Sequence, residues 1–171
     1  SWVLAVALAL RPPDPRSCLA GSSRLLIGLA FAFAVLWKVA LSPDFMDGRF
    51  FRVTLLTDPR FGAATQLVGG LSKAELDAHR EAVVPLPQGA ELVDPPEVRE
   101  PPRLRAFATF STWGIVALEA LVALMMLAPP GRTGPWRHIV LLAFCGITYA
   151  FPPVGGFGRV LLVMGVGQGE V

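Results

Sequence analysis

Residues 25–41 read LLIGLAFAFAVLWKVAL, an apolar run in which Lys38 is the single charged residue. As an α-helix rising about 1.5 Å per residue, the run spans ~25 Å, which approaches the thickness of a bilayer's hydrocarbon core. A buried helix of a soluble protein is usually shorter and carries a polar stripe. Because residues 25–41 show no polar stripe, they predict a transmembrane helix, and the rest of the chain is interpreted relative to it.

The composition agrees with a membrane protein. Of the 171 residues, 53% are hydrophobic and only 16% are charged, which is more apolar than a soluble domain usually is. The formal net charge of +2 is too small to indicate a nucleic-acid partner. Cys18 and Cys145 lie in different sequence settings, so the two cysteines predict neither a disulfide nor a metal site.

Two further apolar runs follow. Residues 107–127 carry Glu119 as their only charge, and residues 139–151 precede the sequence PPVGG. The apolar pattern resumes at 157–168, either as the second half of one broken helix or as the beginning of another span. The sequence therefore predicts an all-α integral membrane protein, a single domain over 1–171 with three to four transmembrane helices. The short apolar run at 1–10 is interpreted as the end of a helix, which makes the chain part of a longer protein.

The segment 42–106 is predicted to be a long extramembrane segment with short helices. Asp47 is expected to cap a helix that continues to Thr57, and Asp58 with Pro59 to start another that ends at Gly69 and Gly70. The S-x-x-E pattern of residues 72–75 predicts a third short helix to about Glu81. The prolines between 85 and 102 predict an extended strap.

Arginines in the short connectors predict the orientation. The connector 11–24 holds three arginines and the connector 128–138 holds two, so both are predicted to be cytoplasmic by the positive-inside rule. The segment 42–106 then lies on the opposite, periplasmic side. Residues 25–41 and 107–127 would cross the membrane in opposite directions, as their order in the chain requires.

Three ionisable residues lie within apolar runs and are the candidate functional residues. Burying a charge in a membrane costs free energy, so an ionisable residue found there often has a function. Lys38 lies near the end of its span, where its stem can carry the amine to the interface. Glu119 lies deeper, so it is expected to be protonated or paired with Lys38 or Arg159. Arg159 follows a Pro–Gly break, where irregular backbone lines a cavity or contacts the membrane boundary.

The histidines are weak candidates for cofactor ligands. His79 falls in a predicted external helix and His138 at a membrane edge, so both are interpreted as solvated or interfacial side chains. No catalytic or metal-ligating residue is predicted. A pigment or quinone held by apolar contacts leaves no sequence signature, so the cofactor stays unknown.

Several stretches resemble known bacterial membrane families. They are residues 24–29 leading to Trp37 and Lys38, residues 42–48, residues 50–61, and TYAFPPVGGFGRVLLVMGVGQ at 148–168. Together they resemble DoxX-like proteins and the HTTM proteins, whose transmembrane domain is related to vitamin K-dependent carboxylases. The resemblance implies a helical bundle in a bacterial inner membrane, with quinone-linked oxidation or carboxylation in the enzymatic members. Lys38 matches the lysine that often lies at the end of the first helix in DoxX-like proteins. This match supports the location of Lys38 at a helix end and implies no reaction.

Three functions remain open at this point. The first is a non-catalytic accessory subunit of a larger respiratory or photosynthetic membrane complex, with membrane lipids and other integral membrane subunits as partners. The proline strap and the aromatic-rich segment after residue 42 are suited to packing over the surface of a partner subunit. The alternative is a small membrane enzyme or carrier that acts on a quinone or lipid through Glu119 and Lys38. A third possibility is a lipid-binding scaffold without enzymatic partners, which would copurify with lipid but with no protein.

Overall fold

The computed structural model describes residues 14–82, 100–150 and 155–166, and the regular secondary structure in these ranges is entirely helical. The prediction of an all-α fold is confirmed for this part of the chain. The predicted helix end at 1–10 and most of the proline strap fall outside the described residues.

The first helix, α1, runs over Pro15–Leu36 and continues as a π-helical turn over Trp37–Leu41. The predicted connector 11–24 is therefore wrong from residue 15 onward. Proline is favoured at the first helical position because its missing N–H would have no partner there. Asp14 stabilises this start: its carbonyl accepts from the Cys18 amide at 3.2 Å, and its carboxylate accepts from the Ser17 hydroxyl.

Short helices follow over residues 43–82, and those after residue 48 correspond to the predicted ones. They are α2 at Pro43–Met46, α3 at Arg49–Thr57, a 3₁₀ turn at Pro59–Phe61, α4 at Gly62–Gly69 and α5 at Lys73–Ala82. The Asp58 side chain accepts from the Arg60 amide at 2.9 Å, and α4 ends at Gly70 with a φ of 66°. Both predicted signals are thus confirmed.

One cap differs from the prediction. The residue that caps α3 is Gly48, with a φ of 80°, and not Asp47. Asp47 still contributes, because its carboxylate accepts from the Arg49 amide at 2.8 Å. A left-handed residue at this point turns the chain sharply between α2 and α3, and glycine adopts that conformation without strain.

The predicted capping box is present at the start of α5. The Glu75 carboxylate accepts from the Ser72 amide at 2.8 Å, and the Ser72 hydroxyl accepts from the Glu75 amide at 3.2 Å. These reciprocal bonds satisfy amides that have no partner inside the helix. The local sequence alone was sufficient to locate this helix.

The second long helix, α6, runs over Pro102–Leu127 and so begins before the predicted boundary at 107. Leu104, Ala108 and Thr112 are completely buried. Their spacing of four residues extends the buried stripe of the helix beyond the apolar run, which explains the early start.

Three helices complete the described chain. They are α7 at Pro130–Thr133, α8 at Trp136–Ala150 and α9 at Gly155–Val166. The predicted run 139–151 corresponds to α8, and the continuation 157–168 corresponds to α9. Residues 151–154, which contain the Pro–Gly break, lie outside the described residues.

Two helices are long and apolar enough to cross a membrane by length and composition, Ser17–Leu41 and Pro102–Leu127, each with a mean hydropathy of 1.9. Only 17% of the first and 33% of the second apolar window is buried inside the structure. Helix α8 is apolar but shorter. Among the described helices, two rather than three or four therefore have the length and composition of a full span.

The chain divides into two compact units, which are considered separately. The first comprises residues 1–37 and 116–171, and the second comprises Lys38–Ile115. In the first unit, α1 and α6 approach closely, because Arg24 Nη1 donates to the Ala128 carbonyl at 3.0 Å. Phe31 and Phe144 pack edge to face with ring centroids 4.7 Å apart.

The second unit has its own apolar core. Leu76 and Leu104 are completely buried at its centre. Thr65 is buried beside them, and its hydroxyl donates to the Leu55 carbonyl at 2.8 Å. The remaining core side chains are Leu55, Leu56, Phe61, Leu71 and Ala108. The segment predicted to be external is therefore a packed helical unit.

Candidate functional site

Lys38 lies in the π-helical turn that ends α1. Its side chain is half-buried, and its Nζ lies 5.4 Å from the ring centroid of Phe45. A cation at this distance from an aromatic face is attracted by the electrons of the ring. The Phe45 ring thus holds the ammonium near the end of the long helix.

Glu119 is buried, with 7% of its surface exposed. It lies on the inner stripe of α6 between Val116 and Val122, which are 7% and 0% exposed. Arg159 on α9 is exposed, so it does not share the buried setting of Glu119. The proposed pairing of Glu119 with Lys38 or Arg159 stays a prediction.

The two histidines, interpreted from the sequence as solvated or interfacial side chains, differ in their exposure. His79 is 8% exposed, so the expectation of a solvated side chain is wrong for this residue. The reason is that position 79 follows Leu76 on the inner face of α5, three residues away. His138 is half-buried, and its Nε2 lies 3.2 Å from the Arg137 Nε.

The second unit contains an ion-pair network that the sequence analysis missed. Arg49 lies 2.8 Å from the Asp44 carboxylate and 3.1 Å from that of Asp47. Arg52 is 3.9 Å from Asp47 and 3.3 Å from Glu100. Glu100 is also paired with Arg105 at 3.0 Å. Three carboxylates and three guanidinium groups thus form one continuous chain of charges.

The Arg52–Glu100 ion pair in the middle of this network is more buried than the pairs at its ends. The Arg52 and Glu100 side chains are 21% and 20% exposed, whereas those of Arg49 and Arg105 are 59% and 63% exposed. Exposed ion pairs contribute little because water screens them. The Arg52–Glu100 pair therefore contributes most to linking α3 to the residues before α6.

Gly48 allows the turn before α3, which carries Asp47, to approach the start of α6. A Cβ atom on Gly48 would lie 3.3 Å from Thr109 Oγ1 and 3.4 Å from Thr109 Cα. The turn before α3 therefore lies directly against α6, and a side chain at Gly48 would separate them. The sequence signal available for this arrangement was the run DFMDGRFFR at 44–52, but its partners lie about fifty residues later in the chain.

An open groove of about 470 Å³ adjoins the network at the start of α6. Its lining residues are Glu100, Pro102, Arg105, Ala106 and Thr109. The first turn of α6 contains no acidic residue, although negative charge is favoured at that end of a helix. Arg105 and Glu100 place both signs of charge in this groove.

A separate exposed pair stabilises the turn before α4. Arg60 Nε donates to the Asp58 carboxylate at 3.0 Å. This side-chain hydrogen bond lowers the pKa of Asp58 below its usual value, and the bond from the Arg60 amide lowers it further. Asp58 therefore stays ionised as the cap of the 3₁₀ turn at Pro59–Phe61.

No family model, characterised protein or solved structure matches this chain. The resemblance to DoxX-like and HTTM proteins therefore stays a prediction.

Proposed function

We propose that the protein is an integral membrane subunit whose role is non-catalytic, as an accessory component of a larger respiratory or photosynthetic assembly. In this proposal the long helices α1 and α6 cross a bacterial inner membrane. Helices α8 and α9 complete a bundle of three to four spans, and the segment 42–106 faces the periplasm. Support for the membrane location comes from the large share of apolar surface on α1 and α6 that the chain itself leaves uncovered.

The observation that carries the accessory role is the outer face of α8. Ile139, Leu142 and Ile147 are 52–57% exposed, whereas Leu141, Phe144 and Cys145 on the opposite face are at most 5% exposed. Ala143 and Gly146 lie exposed between the three large side chains. Small residues flanked by larger ones allow another transmembrane helix to approach closely. This face therefore suits a protein partner within the membrane.

Gly146 offers a direct test. A Cβ atom at this position would meet nothing within 4 Å, so Gly146→Leu should fold normally while filling the space for a partner helix. We expect the variant to separate from the assembly when membranes are extracted with a mild detergent. The mass and composition of the intact particle, measured by native mass spectrometry, report this loss.

Gly114→Leu is the matched control, because Gly114 is exposed on α6 and a Cβ there also meets nothing within 4 Å. It should stay in the assembly. If the wild-type chain always runs alone, the accessory role is contradicted. If Gly114→Leu rather than Gly146→Leu releases the chain, the partner face on α8 is wrong.

The buried carboxyl of Glu119 favours a second candidate, a small membrane enzyme or carrier for a quinone or lipid. A carboxyl group inside a membrane is costly, and such residues often take part in proton transfer. In this case Glu119→Gln should abolish turnover while the helical circular dichroism and the melting temperature stay unchanged. A variant that only loses stability would show that Glu119 has a structural role.

A further inference from the structure

The groove at the start of α6 continues into an apolar stripe on the same helix face. Its lining positions 102, 105, 106 and 109 are followed at spacings of three and four by Phe110 and Trp113. Residues at these spacings lie on one side of a helix. Phe110 is 76% exposed and Trp113 is 57% exposed. The face thus changes from charged to apolar along α6.

The polar groups of this face are concentrated at one end. The Thr109 hydroxyl donates to the Arg105 carbonyl at 3.0 Å, so its single donor is already used within the helix and only its lone pairs remain for a ligand. The Arg105 guanidinium uses Nη2 for Glu100 at 3.0 Å. The Arg105 side chain is 63% exposed, which leaves further N–H donors of the guanidinium accessible.

The charges match a ligand that carries both signs. Arg105 can donate several hydrogen bonds to a phosphate in a geometry that a guanidinium favours. The Glu100 carboxylate is only partly exposed and is held in place by Arg52 and Arg105. The lone pairs that these two pairings leave on the Glu100 carboxylate can accept a hydrogen bond from an ammonium group.

We propose that this face binds one phospholipid with an amine-bearing headgroup, of the phosphatidylethanolamine class. The phosphate lies against Arg105 and the ammonium against Glu100, while an acyl chain follows Phe110 and Trp113. From Ala106 to Trp113 the helix rises ~10 Å, enough to contact the upper part of an acyl chain. The inference rests on the proposed membrane location, because the lipid and α6 must share one bilayer.

The test is lipid binding by the purified, delipidated chain in detergent, measured by native mass spectrometry. The probes are phosphatidylethanolamine, phosphatidylglycerol, diacylglycerol and glycerophosphoethanolamine. We expect one equivalent of phosphatidylethanolamine to bind at least about tenfold more tightly than each of the other three, since each lacks the amine, the phosphate or the acyl chains. Equal binding of diacylglycerol or phosphatidylglycerol would overturn the proposal, as would equal binding of the headgroup without acyl chains.

Two variants test the groove itself. Arg105→Gln should weaken phosphatidylethanolamine binding about tenfold, and Ala106→Trp should do the same by filling the groove while it leaves the charges in place. Arg60→Gln is the matched control, because Arg60 is an exposed, paired arginine outside the groove. Unchanged binding by Arg105→Gln, or an equal loss in Arg60→Gln, would contradict the site.

Resistance of the chain to alkaline carbonate extraction from membranes is measured in parallel. A chain that resists extraction but binds no lipid in the groove overturns the lipid site and leaves the membrane subunit standing. A chain that carbonate releases contradicts the membrane location itself.

Discussion

Replacing Leu104 with alanine is expected to lower the free energy of unfolding of the second unit by about 2–5 kcal/mol. Leu104 is completely buried and belongs to the core cluster that joins α6 to the short helices. Its Cδ1 would lie 3.4 Å from a Cβ on Gly69, so the side chain also fills the space beside the end of α4. Alanine would leave a cavity that rigid helices on several sides cannot close.

The measurement is unfolding of the purified chain in detergent by a chemical denaturant, followed by circular dichroism. Leu67→Ala is the matched control, because Leu67 lies in the same unit and is 88% exposed. Leu104→Met, which nearly conserves volume, should cost less than about 1.5 kcal/mol. Equal losses for Leu104→Ala and Leu67→Ala would show that the proposed core does not stabilise the chain.

Substituting Gly28 with leucine is expected to destabilise the first unit by about 1–3 kcal/mol, because the site is already filled by a neighbouring helix. A Cβ at Gly28 would lie 2.7 Å from both Cγ and Cδ2 of Leu127, and 3.2 Å from the Cβ of Met126. Met126 is 1% exposed and has little freedom to move. The larger side chain must therefore push α1 and α6 apart, and the nearby Arg24–Ala128 hydrogen bond should weaken with them.

Thermal unfolding in detergent reports this change, and two further variants make it specific. Gly21→Leu lies on the same helix where a Cβ meets nothing within 4 Å, so it should leave stability unchanged or raise it slightly through better helix propensity. Gly28→Leu combined with Leu127→Ala should recover part of the lost stability. If the single Gly28→Leu variant is as stable as wild type, the close approach of the two helices is contradicted.

Features that depend on a few neighbouring residues were predictable from the sequence. The capping box at Ser72 and Glu75, the Asp58 cap and the stop at Gly70 all occur as predicted. Each is decided by bonds within about four residues, so no tertiary information is needed. The same holds for the apolar run at 25–41, whose composition and length indicate a long helix.

Features that depend on packing were not predictable in this way. The long helices begin at Pro15 and Pro102, ahead of the expected boundaries. In α6 the buried side chain of Leu104 continues the inner stripe of the helix through polar residues. His79 is buried although it lies in a charged sequence. The ion pair between Arg52 and Glu100 joins residues 48 positions apart, and a single sequence carries no signal for such a pairing.

The sequence by itself determined that the described chain is helical, with long apolar helices over 25–41 and 107–127, and it located the Asp58 cap, the stop at Gly70 and the capping box at Ser72. These features follow from local composition and from bonds between near neighbours. Only the tertiary structure decided that Lys38–Ile115 packs around its own core, that Glu119 is buried while Arg159 is exposed, and that Arg105 and Glu100 share a groove. The physical reason is distance along the chain. Burial and ion pairing between remote residues are set by how the helices pack, and packing depends on all of their side chains together.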